Sequence, residues 1–321
     1  MEIRHLALPS LSRRAPWHDV GEIRVGNWIQ AWDRQELMDF GLIGVPFSRA
    51  SIRGSSTDGG PSAIRSAFAY FTTWSVDYEV DISGLTVRDV GDVQTDLLDV
   101  PRALQQIEEC FTDLLDGQRF FPIALGGDHS ITWPIIAAIH NVRPDAKIGI
   151  VQFDAHYDLR GPDFGPTHGT PFRRILEGDY GVQGKNLVQL GIHGFGNAAR
   201  YHQYALEQGV RVISAREIRR RGITDVMDEA ITRASDGTDL VYVSLDIDVM
   251  AAAYGPGTGV VTAEGLDPYD LLEAMYLLGR APTVWGLDVV EVDPARDIHE
   301  ITARTACTAI LTFLGGYVHR G

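Results

Sequence analysis

Three short segments of the sequence concentrate side chains that can hold metal ions. They read Gly-Gly-Asp-His-Ser at 126–130, Asp-Ala-His-Tyr-Asp at 154–158 and Asp-Ile-Asp at 246–248. Residues two apart in an extended chain share one face, so the alternating ligands of the last two segments can point into a single site. Taken singly, each segment also fits an ordinary strand end with capping aspartates. Taken together, the candidate metal ligands are His129, Asp154, His156, Asp158, Asp246 and Asp248.

Charge balance predicts how many cations such a site holds. Carboxylates crowded at buried strand ends repel one another unless cations lie between them. Four carboxylates match the charge of two divalent cations. Oxygen-rich ligands with imidazole and no sulfur favour Mn²⁺ and leave Fe, Ni, Co and Zn open. Two cations about 3.5–4 Å apart can make a shared water nucleophilic, so we expect hydrolytic chemistry.

The elements around these segments predict an α/β fold. Short apolar runs alternate with segments of helical period, which favours a three-layer α/β/α single domain with a mainly parallel, about eight-stranded sheet. Ligands in such sheets bind at the carboxyl ends of the strands, where the three polar segments lie. The predicted strands are Leu42–Pro46, Leu85–Val90, Phe120–Leu125, Ile148–Phe153, Leu187–Gly191, Val210–Ile213, Leu240–Leu245 and Val284–Val289, and the predicted helices include Pro61–Thr72, Pro101–Leu115, Ala198–Gln208, Pro268–Leu278 and Glu300–Leu314.

Composition narrows the classes of partner and compartment. A net charge of −15 over 321 residues repels phosphate backbones and anionic membranes, so we expect neither nucleic acid nor membrane as a partner. The N-terminus contains no uninterrupted apolar stretch of signal-peptide type, which predicts a cytoplasmic protein. Two cysteines are too few for a disulfide framework or a thiolate zinc site. We expect residues 1–38 to form an extension packed on a domain of residues 39–321.

The motifs Gly-Gly-Asp-His-Ser, Asp-Ala-His-Tyr-Asp and Ser-Leu-Asp-Ile-Asp, in this order, resemble those of the ureohydrolases, the family of arginase, agmatinase and formimidoylglutamase. The resemblance runs from about Gly41 to Leu314. It implies a metal-dependent hydrolase of a linear C–N bond in a guanidine or formimine, in an arginase-like fold that forms trimers or hexamers. It also implies that Asp154 and Asp246 bridge two metals, one completed by His129 and Asp158 and the other by His156 and Asp248.

Three further residues are candidate catalytic groups. His168 resembles the family's proton-shuttle histidine, and an imidazole titrating near neutrality can pass a proton to a leaving amine. Glu291 resembles the carboxylate that orients the substrate's cationic amidine, a role suited to forked N–H donors. Asp128, between Gly127 and His129, is the third candidate, although it also fits an ordinary helix N-cap.

The loops favour one substrate within the family. The segment at 44–55 and Asp158-Leu159-Arg160-Gly161 look more like formimidoylglutamase than agmatinase, which predicts N-formimino-L-glutamate as substrate and a place in histidine catabolism. Arg160, with Arg49 or Arg53, could pair with the substrate's carboxylates, although ordinary ion pairs explain these arginines equally well. Pro256-Gly257-Thr258-Gly259 instead resembles agmatinases and other guanidine hydrolases, which release urea.

One departure from the family pattern concerns the loop after Asp248. Ala251-Ala252 stands where the family commonly has an Asp-Pro pair. The loss of this carboxylate motivates a different hypothesis, a non-catalytic metal-binding subunit of a mixed oligomer. Retention of six ligands together with His168 and Glu291 argues against it.

Overall fold

The computed structural model describes residues 3–9, 14–15, 19–117, 120–161, 163 and 165–320. Ten strands of this part of the chain form one sheet in the order β1-β6-β3-β7-β12-β11-β8-β9-β10, with β2 beside β6, and β4 and β5 form a separate hairpin. The strands are β1 (Leu6–Ala7), β2 (Gln30–Ala31), β3 (Phe40–Gly44), β4 (Trp74–Ser75), β5 (Val80–Asp81), β6 (Val87–Val93), β7 (Phe121–Leu125), β8 (Ile148–Phe153), β9 (Val182–Ile192), β10 (Arg211–Ser214), β11 (Leu240–Asp246) and β12 (Val284–Val290).

Helices cover both faces of this sheet and enclose two separate hydrophobic cores. One core contains residues of α1, α2 and α7 to α10, and the other contains residues of α3 to α6. The helices are α1 (Val25–Trp28), α2 (Gly60–Ala67), α3 (Val100–Leu115), α4 (Thr132–Val142), α5 (Pro171–Glu177), α6 (Ala199–Glu207), α7 (Ala215–Arg221), α8 (Ile223–Ser235), α9 (Pro268–Arg280) and α10 (Ile301–Val318). This arrangement confirms the predicted three-layer α/β/α domain.

The inner strands explain why the sequence predicts the sheet so well. All residues of β7, β8 and β11 are buried, and β8 and β11 pair in parallel with neighbours on both sides. Such strands consist of continuous apolar runs because helices cover both of their faces. The eight predicted strands are present, and the sheet gains β1 and β2, which pair with β6. Two-residue strands carry no periodic signal, so the sequence does not reveal them.

Two predicted helices end four or more residues away from the expected position. The helix expected at Pro61–Thr72 ends at Ala67 and continues as a 3₁₀ turn at Phe68–Tyr70. The C-terminal helix extends to Val318 rather than Leu314. It is the one helix of the described residues with the length and apolar composition to cross a membrane, but 56% of it is buried, and it packs along α9 as a core helix does.

A buried ion cluster ties α2 to the edge of the sheet. The guanidinium of Arg65 donates to both carboxylate oxygens of Asp89 at 2.8 Å and to Asp92 at 2.5 Å. The Arg65 side chain is only 2% exposed. Gly44 makes room for the cluster, because a Cβ there would overlap the carboxylate of Asp92.

We predict that Arg65→Met destabilises the metal-free protein by about 3–5 kcal/mol, because it leaves the buried carboxylate of Asp89 without its cation. Arg88→Met is the matched control. Arg88 lies on the same strand as Asp89 and also forms a bidentate ion pair, but its partner Glu36 is half-exposed. Urea unfolding at fixed protein concentration should show a much smaller loss for the control. Equal losses would contradict a stabilising role that depends on burial.

Candidate metal centre

Four adjacent strands bring the candidate ligands and Glu291 to one edge of the sheet. Strands β7, β12, β11 and β8 are parallel neighbours, so their carboxyl ends lie side by side. His129 follows β7 after a tight turn in which Gly127 approaches the backbone of Phe47, where a Cβ would lie 2.1 Å from the carbonyl oxygen. The carboxylates follow β8 and end β11. The topology therefore brings together side chains that are more than 100 residues apart in sequence.

The first group of candidate ligands converges on His129. Its Nδ1 lies 3.2 Å from Asp154 Oδ2, 3.0 Å from Asp158 Oδ2 and 3.1 Å from Asp246 Oδ2. A ring nitrogen carries at most one hydrogen, so it cannot satisfy three carboxylates by hydrogen bonding. The four atoms lie within 4.8 Å of one another, which suits a shared cation.

The second group lies beside the first and shares one residue with it. His156 Nδ1 is 2.9 Å from Asp248 Oδ2 and 3.4 Å from Asp154 Oδ1. The two oxygens of Asp154 therefore face different groups. Asp246 belongs to the first group by these distances, and its implied role as a second bridge stays a prediction.

The protonation pattern at His129 fits a metal ligand. Ser244 Oγ donates its hydrogen to Asp288 at 2.7 Å and therefore accepts the Nε2 hydrogen of His129 at 2.9 Å. In the neutral ring this leaves a lone pair on the buried Nδ1, which makes no hydrogen bond of acceptable geometry within the described residues. A second partner that fixes the ring tautomer is typical of metal-binding histidines.

The electrostatics of three of the four carboxylates point the same way, whereas hydrogen bonds from His129 and His156 hold the pKa of Asp154 below its usual range despite its burial. Burial raises the pKa of Asp158 to about 6 and shifts the pKa of Asp246 and of Asp248 upward. Desolvation disfavours the charged form of each group, and the neighbouring Asp154 adds repulsion. Bound cations would restore the ionised state, so the donor set fits two divalent ions.

Backbone strain marks two residues of the centre. Asp158 has φ +50° and Glu291 has φ +64°, a left-handed conformation that non-glycine residues seldom adopt. Such strain persists where the surroundings hold a residue in place, and it concentrates at functional sites. Two hydrogen bonds hold Glu291 in place. Its backbone N–H donates to the Gly127 carbonyl at 2.9 Å, and its side-chain Oε1 accepts the backbone N–H of His129 at 2.9 Å.

An open cavity of about 120 Å³ connects the two groups to solvent. His168 reaches into it and lies with Nδ1 3.1 Å from Glu291 Oε1. Burial lowers the pKa of His168, but the hydrogen bond to Glu291 and the negative charges of Glu291, Asp158 and Asp128 together raise it to about 9. The described lining residues are Ile52, Arg53, His156, Asp158, Leu159, Arg160, His168, Gly169, Gly196, Asn197, Tyr201, Asp246, Asp248, Gly259, Val260 and Glu291.

The three candidate arginines do not share one location. Arg53 and Arg160 are exposed and line the cavity. Arg49 instead donates through Nε to the Leu97 carbonyl at 2.9 Å and lines a neighbouring depression. The geometry therefore offers two guanidinium groups for an anionic substrate.

The catalytic role of Asp128 stays a prediction, and its contacts in the structure are those of the cap of the turn at His129–Ile131. It is fully buried and absent from the described cavity lining. Its oxygens accept the N–H groups of Ser130 at 3.1 Å and Ala50 at 2.9 Å. The Ala50 carbonyl in turn accepts the N–H of His168, so Asp128 caps the turn after β7 and braces the loop that holds His168.

Ala251 and Ala252, which replace the Asp-Pro pair common in the family, lie in a loop that backbone hydrogen bonds hold together. Ala251 N–H donates to Leu266 at 3.0 Å and Ala252 N–H donates to Thr262 at 2.8 Å. Neither alanine is among the described residues that line the cavity. His193 is also outside this lining, since its Nδ1 faces the Gly191 carbonyl and its Nε2 faces Thr262.

Sequence reasoning missed the polar side chains beneath the ligands. Gln152, Gln189, Ser244 and Asp288 are fully buried within strands. Their polar character inside otherwise apolar runs is a signal that could have revealed them, since buried polar groups need partners. Asn197 and Tyr201, which line the cavity from the segment after β9, carry no comparable signal.

Comparison with known proteins agrees with this geometry. Residues 38–315 match the model of the arginase family. The chain is 40% identical over 304 residues to a formimidoylglutamase of Halalkalibacterium halodurans, covering 94% of both chains.

Two solved structures resemble the whole chain. The formimidoylglutamase of Bacillus subtilis superposes with a TM-score of 0.90 at 33% identity and 95% coverage of each chain. A variant of Trypanosoma cruzi formiminoglutamase with Mn²⁺ superposes with a TM-score of 0.84 at 25% identity, covering 94% of this chain and 99% of that one. The chain described here belongs to the arginase family.

Proposed function

We propose that this protein hydrolyses N-formimino-L-glutamate to L-glutamate and formamide with two divalent metal ions. The observation that carries the proposal is one cavity that joins two His and Asp groups, the His168–Glu291 pair and two guanidinium groups. The similarity to formimidoylglutamases supports the substrate. The acceptor-rich base and the cationic mouth of the cavity fit a substrate with a formimino group at one end and carboxylates at the other.

Mn²⁺ is the cation we propose, because the ligand set is oxygen-rich with imidazole and the Trypanosoma relative was solved with Mn²⁺. The first ion would be held by the group around His129 and the second by the group around His156, with Asp154 shared. Two cations bound there would supply Lewis-acid activation of a water molecule and electrostatic stabilisation of developing negative charge.

The protein's own residues orient the formimino group and complete the proton transfers. A carboxylate pairs well with forked N–H donors, so Glu291 can align the substrate's amidine across the cavity. Cleavage of the C–N bond expels the glutamate nitrogen, which needs a proton to leave as an amine. His168, held by Glu291, supplies this proton and regains one when water is deprotonated.

Arg53 and Arg160 favour formiminoglutamate over agmatine as the substrate. The protein carries a net charge of −15, yet both guanidinium groups stand at the cavity wall above the carboxylate clusters. A dianionic substrate would bind with its carboxylates toward them and its formimino group toward the clusters. Agmatine has a distal ammonium instead, which these arginines would repel.

Agmatine or another guanidine remains the second candidate substrate. Gly259, the last residue of the segment that resembles agmatinases, and the following Val260 line the cavity and bring that segment to the site. The hypothesis of a non-catalytic subunit is weaker, because Ala251 stands outside the described lining and every candidate group except Asp128 and Arg49 is at the metal groups or the cavity.

The predicted oligomeric state, compartment and domain bounds also stay proposals. We propose a homotrimer or homohexamer in the cytoplasm, acting in histidine catabolism. We also propose residues 1–38 as an extension of a domain at 39–321. Among the described residues of that extension, β1 and β2 pair with β6.

His168→Asn should lower kcat by roughly 10²–10⁴-fold, the usual scale for losing a general acid–base group. Its metal content should match the wild type, because His168 lies outside both ligand groups. His193→Asn is the control, since both of its ring nitrogens are engaged away from the cavity. Steady-state kinetics with elemental analysis decides; an unchanged kcat in His168→Asn at full metal content would reject the proton-transfer role.

Arg160→Ala should raise KM for formiminoglutamate by roughly 10- to 150-fold, which corresponds to about 1.5–3 kcal/mol for a charged hydrogen bond. Arg49→Ala should raise it far less, because Arg49 bonds Leu97 outside the cavity. The wild type should release formamide from formiminoglutamate and little urea from agmatine. If the wild type releases urea efficiently from agmatine and Arg160→Ala keeps that activity, the formiminoglutamate proposal is wrong and the substrate is a guanidine.

A further inference from the structure

Four buried polar side chains form a row across the sheet beneath the metal centre. Gln189 on β9 is the register partner of Gln152 on β8, Gln152 pairs with Ser244 on β11, and Ser244 pairs with Asp288 on β12. Each of the four is 0% exposed. Buried polar groups are costly unless hydrogen-bonded, so the direction of each bond in this row matters.

The direction of the bonds in the glutamine half is fixed by one backbone carbonyl. Tyr157 O can only accept, so the Gln189 side-chain atom 2.7 Å away is its amide nitrogen. The same nitrogen lies 2.6 Å from Gln152, whose facing atom must therefore be the amide oxygen. This turns the Gln152 nitrogen toward Asp154 Oδ2 at 2.6 Å and toward the His156 carbonyl at 3.4 Å.

The Gln152 contact distinguishes the two oxygens of the shared carboxylate. Asp154 Oδ2 is the oxygen 3.2 Å from His129 Nδ1, whereas Oδ1 lies 3.4 Å from His156 Nδ1. Where Oδ2 accepts from the Gln152 side chain, Oδ1 accepts from the backbone N–H of His156 at 2.5 Å. A side-chain donor thus holds the oxygen that faces the first group, and a backbone donor holds the oxygen that faces the second.

We propose that Gln152, fixed in direction by Gln189, is a positioning residue that sets the metal affinity of the group around His129. This rests on the proposed function only in requiring two bound metals. Its N–H holds Asp154 Oδ2 with a lone pair directed into the first group. Without that bond Oδ2 loses the donor that orients its lone pair toward the first group, while the backbone donor still holds Oδ1 toward the second.

Gln152→Met removes the donor while keeping a side chain of similar length. It should weaken Mn²⁺ binding at one of the two sites by about 10- to 100-fold, the usual effect of losing a residue that orients a metal ligand. The other site should keep its affinity. Gln189→Met should act in the same direction with a smaller effect, because it leaves the Gln152 amide in place but no longer fixes its direction.

The experiment is a titration of metal-stripped protein with Mn²⁺, in which EPR measures the free ion and gives two binding constants. Unfolding of the metal-free variants measures stability separately. Asn186→Leu is the matched control, because Asn186 is also a buried amide on β9 but donates to the carbonyls of Arg233 and Asp236, away from the ligands. We expect it to change stability and leave both binding constants unchanged.

The outcomes separate this inference from the proposed function. Two Mn²⁺ sites in the wild type that keep their affinities in Gln152→Met would overturn the positioning role and leave the hydrolase proposal intact. Equal weakening of both sites, or the same weakening in Asn186→Leu, would also overturn it. A wild type that binds no Mn²⁺ would overturn both. If Gln152→Met does not fold, Gln189→Met decides by the same criterion.

Discussion

This site depends on one constraint, the repulsion among four carboxylates that lie close together. They form two adjacent groups, each with one imidazole. Asp154 and Asp248 are almost fully buried, and burial together with repulsion from Asp154 pushes the pKa of Asp248 upward. Nothing in an apolar sheet relieves such crowding except protons or cations. The arrangement therefore makes chemical sense as a cation site, and the elements around it can be understood as what keeps the ligands in place before a metal arrives.

That placement comes from several parts of the fold acting together. Parallel strands bring the ligands to one edge, the strained backbone of Asp158 and Glu291 aims two carboxylates, and the polar row beneath fixes hydrogen-bond directions. Glu291 links these parts, since its Oε1 lies near both the His129 N–H and His168 Nδ1. The same oxygen thus connects the ligand turn to the proposed proton carrier.

The sequence predicts the fold and the ligands for different reasons. Buried parallel strands are continuous apolar runs, so β8 and β11 stand out, whereas two-residue strands such as β1 contain no pattern to detect. Metal ligands are visible because polar residues recur at strand ends with a spacing of two. Their charge also predicts two cations without any structure.

Other residues depend on three-dimensional packing that a sequence does not display. Arg49 and Arg53 are four positions apart in one loop, yet only Arg53 lines the described cavity. Asp128 adjoins a candidate ligand in sequence, but its carboxylate oxygens accept hydrogen bonds from the backbone N–H groups of Ser130 and Ala50. Gln152 acts through a partner on another strand, so its role needs the register of β8 and β9.

The central claim is that two metal ions share Asp154, and low-temperature EPR of protein loaded with two equivalents of Mn²⁺ tests it directly. Ions that share a carboxylate lie close enough for their spins to couple, so we expect a multiline spectrum with reduced hyperfine spacing. Asp154→Ala should lose this signal. A wild type that binds two Mn²⁺ but shows only the six-line spectrum of isolated ions would contradict the shared ligand and the binuclear centre built on it.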